Sequence, residues 1–184
     1  MDDFDYCVWG NGFSSEQIQN LNKIIEEKYF QTENPESGTD FKNVSSVKLF
    51  YYRDVKNIIG DFIERAYLDA STHFGYNVFP TNDFDVLNHG TYDSKDKSDY
   101  NWHRDTSRTS IYDIKLTLLI NVSDEPYEGG EFELLTGKNP ERVEHYNTSG
   151  NVIMFKSHIL HRVLPVTSGI RKSLALFIRG PRFQ

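Results

Sequence analysis

The chain has 184 residues, 27 acidic against 20 basic side chains and a net charge of −7, a balance that speaks against sequence-independent binding to nucleic acid or to an anionic membrane. Apolar residues make up 38% and aromatics 14%, with a mean hydropathy of −0.59, which excludes a disordered chain and predicts one domain, 1–184, able to bury a core unaided. The single cysteine, Cys7, excludes an intrachain disulfide framework and suits a reducing compartment.

The N-terminal MDDFDYC carries acid where a signal peptide needs positive charge, so a cytoplasmic protein is expected. No stretch approaches the roughly 20 apolar residues of a membrane span. Ser14 and Gln17 form a capping box, after which Ile18, Leu21, Ile24 and Ile25 recur at helical spacing to about Tyr29. A polar segment from Gln31 to Asn43 ends that helix, and Val47 to Tyr52 is a short β-prone run. Val55, Ile58, Ile59, Phe62, Ile63, Ala66 and Tyr67 then make one stripe of a helix from Arg53 to Phe74, stopped by Gly75. Residues 1–75 are thus read as helical support.

From about Tyr76 the period becomes that of strands. Phe84, Val86 and Asn88 alternate with Asp85 and Leu87, while Ile114 to Val122 alternates cleanly. Lys115 and Thr117 share one face of that run, as pocket lining or as polar edge. Further runs at Glu131–Thr136, Arg142–Tyr146, Asn151–Phe155 and Arg171–Arg179 are separated by Gly, Asn, Asp and Pro clusters. Helices that cover one sheet, followed by many short strands, predict a mainly β fold. It is a double-stranded β-helix or jelly roll over 76–184, flanked by the N-terminal helices. The polar stretch Gly90 to Trp102 is read as a loop, either a lid or a solvated connector. Gly129-Gly130 is read as a turn.

His103 and Asp105 are two apart, so both project to one side of an extended strand. With six histidines and 27 acids in the chain, roughly one such pair arises by chance, so it needs support. Support comes from His161, followed ten residues later by Arg171 and then Ser173 on one face of the last strand. Two imidazoles and a carboxylate on one face of a metal leave three positions open, as in non-haem Fe(II) oxygenases. An arginine can grip a carboxylate bidentately, and a nearby serine adds a hydrogen bond. His158 is a weaker rival ligand, and His73 and His145 read as structural or exposed.

The strings WHRD, YEGGEFEL and GNVIMFKSHILHRVLPVTSGIRKSLALFIRGP resemble the core of the 2-oxoglutarate and Fe(II)-dependent oxygenases, closest to the small microbial and phage-type members of the prolyl 4-hydroxylase-like branch. The resemblance implies Fe(II) on His103, Asp105 and His161. It implies 2-oxoglutarate held through its distal carboxylate by Arg171 and supported by Ser173, with O2 as oxidant and ascorbate as an accessory reductant. Relatives place a tyrosine on the strand before the HxD pair, where this chain has Val86-Leu87-Asn88-His89, making His89 the candidate substitute. Tyr100, Trp102 and Lys115 are the candidate substrate-facing residues, and Phe177 stands where relatives carry tryptophan. The implied reaction is hydroxylation of a prolyl or other side chain of a protein or peptide, or of a small molecule. The alternatives are a cupin-like metal enzyme that does not use 2-oxoglutarate, and a jelly-roll binding module without catalysis.

Overall fold

The structure is a computed structural model that describes residues 4–33, 42–106 and 111–182. In chain order its elements are β1 (Tyr6–Trp9), α1 (Ser15–Lys28), β2 (Gln31–Glu33), β3 (Lys42–Asn43), β4 (Ser46–Tyr51), α2 (Tyr52–Phe74), β5 (Val86–Asp93) and β6 (Asp99–His103). There follow β7 (Asp113–Asn121), β8 (Glu128–Gly129), β9 (Phe132–Leu134), β10 (Glu141–Arg142), β11 (Val152–Lys156), β12 (His161–Val163), β13 (Val166–Ser168) and β14 (Ile170–Gly180). A larger sheet runs in the order β1-β11-β7-β14-β5-β4-β2 and a smaller one in the order β10-β9-β12-β6-β3. Neighbouring strands pair antiparallel in both.

Both helices form for the reasons the sequence gives. The Ser14 hydroxyl accepts from the Gln17 N–H and the Gln17 side chain accepts from the Ser14 N–H, closing the box at the start of α1. Gly75 ends α2 at φ 67°, the left-handed conformation that glycine adopts without a Cβ clash. The stripes Ile18, Leu21, Ile25 and Val55, Ile59, Ile63 bury against Leu116, Leu118, Ile120, Leu174 and Leu176 of the larger sheet. Each fully buried aliphatic there contributes about 1.5–3 kcal/mol. The opposite face of that sheet meets the smaller sheet across Val47, Tyr92, Phe132, Phe155 and Val163. The layers are therefore helices, larger sheet, smaller sheet, the jelly roll expected.

Three expectations are corrected. The first 75 residues are not only helical support: β1 pairs with β11, and β4 pairs with β5 inside the larger sheet. The stretch Gly90 to Trp102 is mostly strand rather than a loop: it holds the end of β5, one 3-10 turn at Ser94–Asp96 and most of β6, and so carries the chain from the larger sheet to the smaller one. Its polar composition reflects side-chain bonding at the turn, where Asp93 accepts from the Lys95 N–H at 2.9 Å and Ser45 meets Ser98 at 2.8 Å. The run Arg142–Tyr146 is a strand only at β10 and then turns through a 3-10 segment, Glu144–Asn147, which delivers Tyr146 into the interior.

Candidate active site

Alternation along the larger sheet decides what faces the space between the sheets. Thr117 on β7 stands opposite Phe177 on β14, Ser173 opposite Gly90 on β5, and Arg171 opposite Tyr92. Of these, Gly90, Tyr92, Arg171, Ser173 and Phe177, together with Tyr100, His103, Asp105 and His161, line a cavity of about 130 Å³.

At one part of this cavity His103, at the end of β6, is the cross-strand partner of His161 on β12. Asp105 follows, its backbone N–H tied to the Ser157 carbonyl at 3.0 Å. The Asp105 Oδ1 is 3.7 Å from His103 Nε2, and its Oδ2 is 3.3 Å from His161 Nε2. One ligand atom from each residue lies within 4.8 Å of the others. Each imidazole is aimed by its second nitrogen, Nδ1 of His103 on the Asn101 carbonyl at 2.7 Å and Nδ1 of His161 on the Ile159 carbonyl at 3.0 Å. Those contacts fix the tautomer that leaves Nε2 free to donate its lone pair. Tyr100 stacks on His103 at 3.4 Å between ring centroids, and Phe155 packs edge-on against His161 at 4.7 Å. Burial alone would raise the Asp105 pKa, but the bond to His161, the charges of both imidazoles and the Thr117 hydroxyl outweigh it and hold the carboxyl below its ordinary range. The donor set, two oriented imidazoles and one carboxylate held below its ordinary pKa range, fits a divalent first-row metal.

At the closed end lies Arg171, only 1% exposed. Its guanidinium carbon sits 5.0 Å from the Tyr92 ring centroid and 5.6 Å from that of Tyr146. None of its three nitrogens completes a hydrogen bond, and neither does the Tyr146 hydroxyl. Burial works against this charge, yet the oxygens of Tyr146, Tyr92 and Tyr127 keep the guanidinium above its ordinary pKa. A permanent buried cation without an anion is costly, and a bidentate carboxylate is the group that satisfies it. Gly130 makes room for it: a Cβ there would lie 2.8 Å from Arg171 Cδ, and its φ of 64° disfavours any other residue.

The remaining sequence candidates divide. Ser173, Tyr100 and Phe177 line the cavity. His89 does not. It is 2% exposed on the opposite, helix-facing side of β5, in register with Leu174 and Lys48, because it shares parity with the core residue Leu87. Trp102 does not line the cavity and is covered by the Arg162 guanidinium at 4.5 Å, and Lys115 is buried and pairs with Asp113 at 3.7 Å. His158, His73 and His145 lie outside the cluster. Gly129-Gly130 is no simple turn, since Gly129 ends β8 and Gly130 seats Arg171. Sequence reading missed Tyr92, Tyr127 and Tyr146. Tyr92 had a signal, being in step with Asn88 and Gly90, whereas the other two are brought in by tertiary structure.

Among the described residues no helix is long and apolar enough to cross a membrane. Residues 87–179 match the model of the 2OG-Fe(II) oxygenase superfamily. A PKHD-type hydroxylase of Synechococcus sp. strain CC9902 is 39% identical over 77 residues, which are 39% of this chain and 32% of that protein, so the match spans about a third of the relative's length. Among solved structures, a Pseudomonas putida prolyl-4-hydroxylase superposes with a TM-score of 0.70 at 15% identity, covering 97% of this chain and 94% of that one. A Trichoplax adhaerens prolyl hydroxylase, solved in complex with a hypoxia inducible factor oxygen degradation domain peptide fragment, gives 0.69 at 12% identity, covering 95% and 83%. With the fold shared along nearly its whole length and the family model matched over half of it, the chain belongs to the 2OG-Fe(II) oxygenase superfamily.

Proposed function

We propose that the chain is a single-domain hydroxylase that couples oxidative decarboxylation of 2-oxoglutarate to hydroxylation of a prolyl or other side chain in a protein or peptide. One observation carries this reading. A two-histidine, one-carboxylate set and an unpaired buried arginine occupy the same cavity. A cupin-like metal enzyme working without 2-oxoglutarate would have no use for a cation buried there. The peptide or prolyl acceptor is suggested by what the named relatives act on, and the reducing compartment that suits Fe(II) and a lone cysteine makes the cytoplasm the natural location.

In this reading His103, Asp105 and His161 hold Fe(II), which when bound supplies activation of O2 for the oxidative chemistry. Arg171 takes the distal carboxylate of 2-oxoglutarate bidentately, with Ser173 and the hydroxyls of Tyr92 and Tyr146 around it. That grip fixes the cosubstrate's orientation and keeps its reacting end toward the three ligands. The aromatic rings of Tyr92, Tyr146, Phe132 and Phe155 keep bulk water from this end. Tyr100 and Phe177, on the open side, are the groups that meet the acceptor.

The test combines binding with turnover. Anaerobic Fe(II) plus 2-oxoglutarate should give a weak visible charge-transfer band, and succinate should then be released in air with prolyl peptides or with members of a metabolite panel. A metal-loaded protein that shows no band, or that turns over a substrate without 2-oxoglutarate, overturns the reading in favour of the cupin-like alternative.

A further inference from the structure

We propose that Thr117 is a positioning residue that keeps Asp105 attached to the metal through a single oxygen, an inference that rests on the reading of His103, Asp105 and His161 as iron ligands. Thr117 is fully buried at the middle of β7, between Phe155 on β11 and Phe177 on β14. Valine would fill the same shape on an equally β-prone backbone, so what threonine adds is its hydroxyl. A hydroxyl buried there is costly unless bonded, and Oγ1 donates to Asp105 Oδ2 at 2.8 Å.

That contact bears directly on coordination. The carboxylate stands on the concave face with Oδ1 toward His103 and Oδ2 toward His161. Without a restraint, both oxygens can reach one ion and chelate it. The Thr117 proton takes one lone pair of Oδ2 and fixes the rotation of the carboxylate about its Cβ–Cγ bond, which disfavours a chelate. The consequence is a count of open positions. Three single-atom protein ligands would leave a six-coordinate ion one more open position than a set in which Asp105 chelates. The rest of the cage is built to the same end, since both imidazoles are oriented from behind by backbone carbonyls.

Co(II) titration of the full chain, followed by its visible ligand-field bands and by calorimetry, tests this without turnover. Thr117→Ser keeps the hydroxyl and should reproduce the wild-type spectrum and affinity. Thr117→Val should bind Co(II) with altered bands and about tenfold weaker affinity, and its Co(II) form should bind 2-oxoglutarate more than tenfold less tightly. Thr117→Ala, which also lacks the hydroxyl, should behave like the valine variant and replaces it if valine perturbs the far-ultraviolet circular dichroism. Wild-type bands and affinities in the variants without the hydroxyl overturn the proposal and leave the iron reading standing. A wild-type chain that binds no Co(II) overturns both.

Discussion

Arg171 and His89 stand on neighbouring strands of one sheet, three residues apart in register, and each is buried without a hydrogen-bond partner. Arg171 is on the concave face and opens onto a cavity with a metal-ligand set. His89 is on the helix-facing side, among the residues that join the sheet to α1 and α2. Their protonation differs in the same way. Arg171 remains a cation above its ordinary pKa, whereas burial, with repulsion from Lys172 and Lys48, pushes His89 down to about 4 and leaves it neutral. An orphaned buried polar group points to a ligand when it keeps its charge and faces a space. When it sheds its charge and faces packed side chains, it is a cost the fold carries.

Removing the ligand-facing member should have the largest effect. Arg171→Ala takes away one partner of a buried charge pair, a loss of about 2–5 kcal/mol, so the KM for 2-oxoglutarate should rise on the order of 100-fold while Fe(II) or Co(II) affinity stays within about a factor of two. The variant also sharpens the contrast. Free of 2-oxoglutarate it should be no less stable than wild type, because an unpaired buried cation is gone, but the rise in Tm that 2-oxoglutarate gives the wild type should disappear. Loss of metal affinity equal to the loss of cosubstrate affinity would mean that Arg171 holds the metal cage, not the cosubstrate. Gly130→Ala should act on the same residue more gently. Its new Cβ would press on Arg171 Cδ and on Val166 Cγ2 at 2.9 Å, and a left-handed alanine costs about 1–2 kcal/mol. We expect a Tm lower by several degrees and 2-oxoglutarate binding weakened about tenfold, read by thermal scans and by the visible band.

Much of this arrangement is legible in the chain. Both helices can be read from their stripes and their end signals, Ser14 with Gln17 and Gly75, because those signals are local hydrogen bonds and backbone conformations. The site is legible through spacing. His103 and Asp105 share a strand side, and His161 and Arg171 lie in segments that the jelly roll must bring back to it. The strand ends within this polar stretch, Gly90 to Trp102, were hidden because strands are normally recognised by apolar alternation. β5 and β6 line the cavity and carry asparagines and aspartates instead. Tyr127 and Tyr146 were hidden because they reach Arg171 from the irregular segment before β8 and from a 3-10 segment, with no period to mark them. His89 was misread for a reason the sequence could have corrected. Leu87 and His89 share parity, and Leu87 belongs to the helix-facing core.

That parity yields the smallest and most discriminating prediction. Since His89 has a folded pKa of about 4 and an ordinary value of 6.5, the unfolded chain binds a proton between those values that the folded chain does not. Its neutral burial therefore contributes fully to stability above about pH 6.5, and the contribution is lost as the pH falls toward 4, by up to about 3 kcal/mol. His89→Leu replaces an unpartnered imidazole with an apolar side chain in the layer against the helices. At pH 7 the variant should be as stable as wild type or more so by about 1 kcal/mol, a Tm gain of about 2–4 °C. Between pH 6.5 and 4 its Tm should fall less steeply than that of wild type, and the difference between the two curves isolates this group from the other titrating residues. Its KM for 2-oxoglutarate should not change, because the side chain lies on the other face of the sheet from Arg171. A tenfold change in that KM would return His89 to the cosubstrate site and erase the distinction between the two orphaned residues.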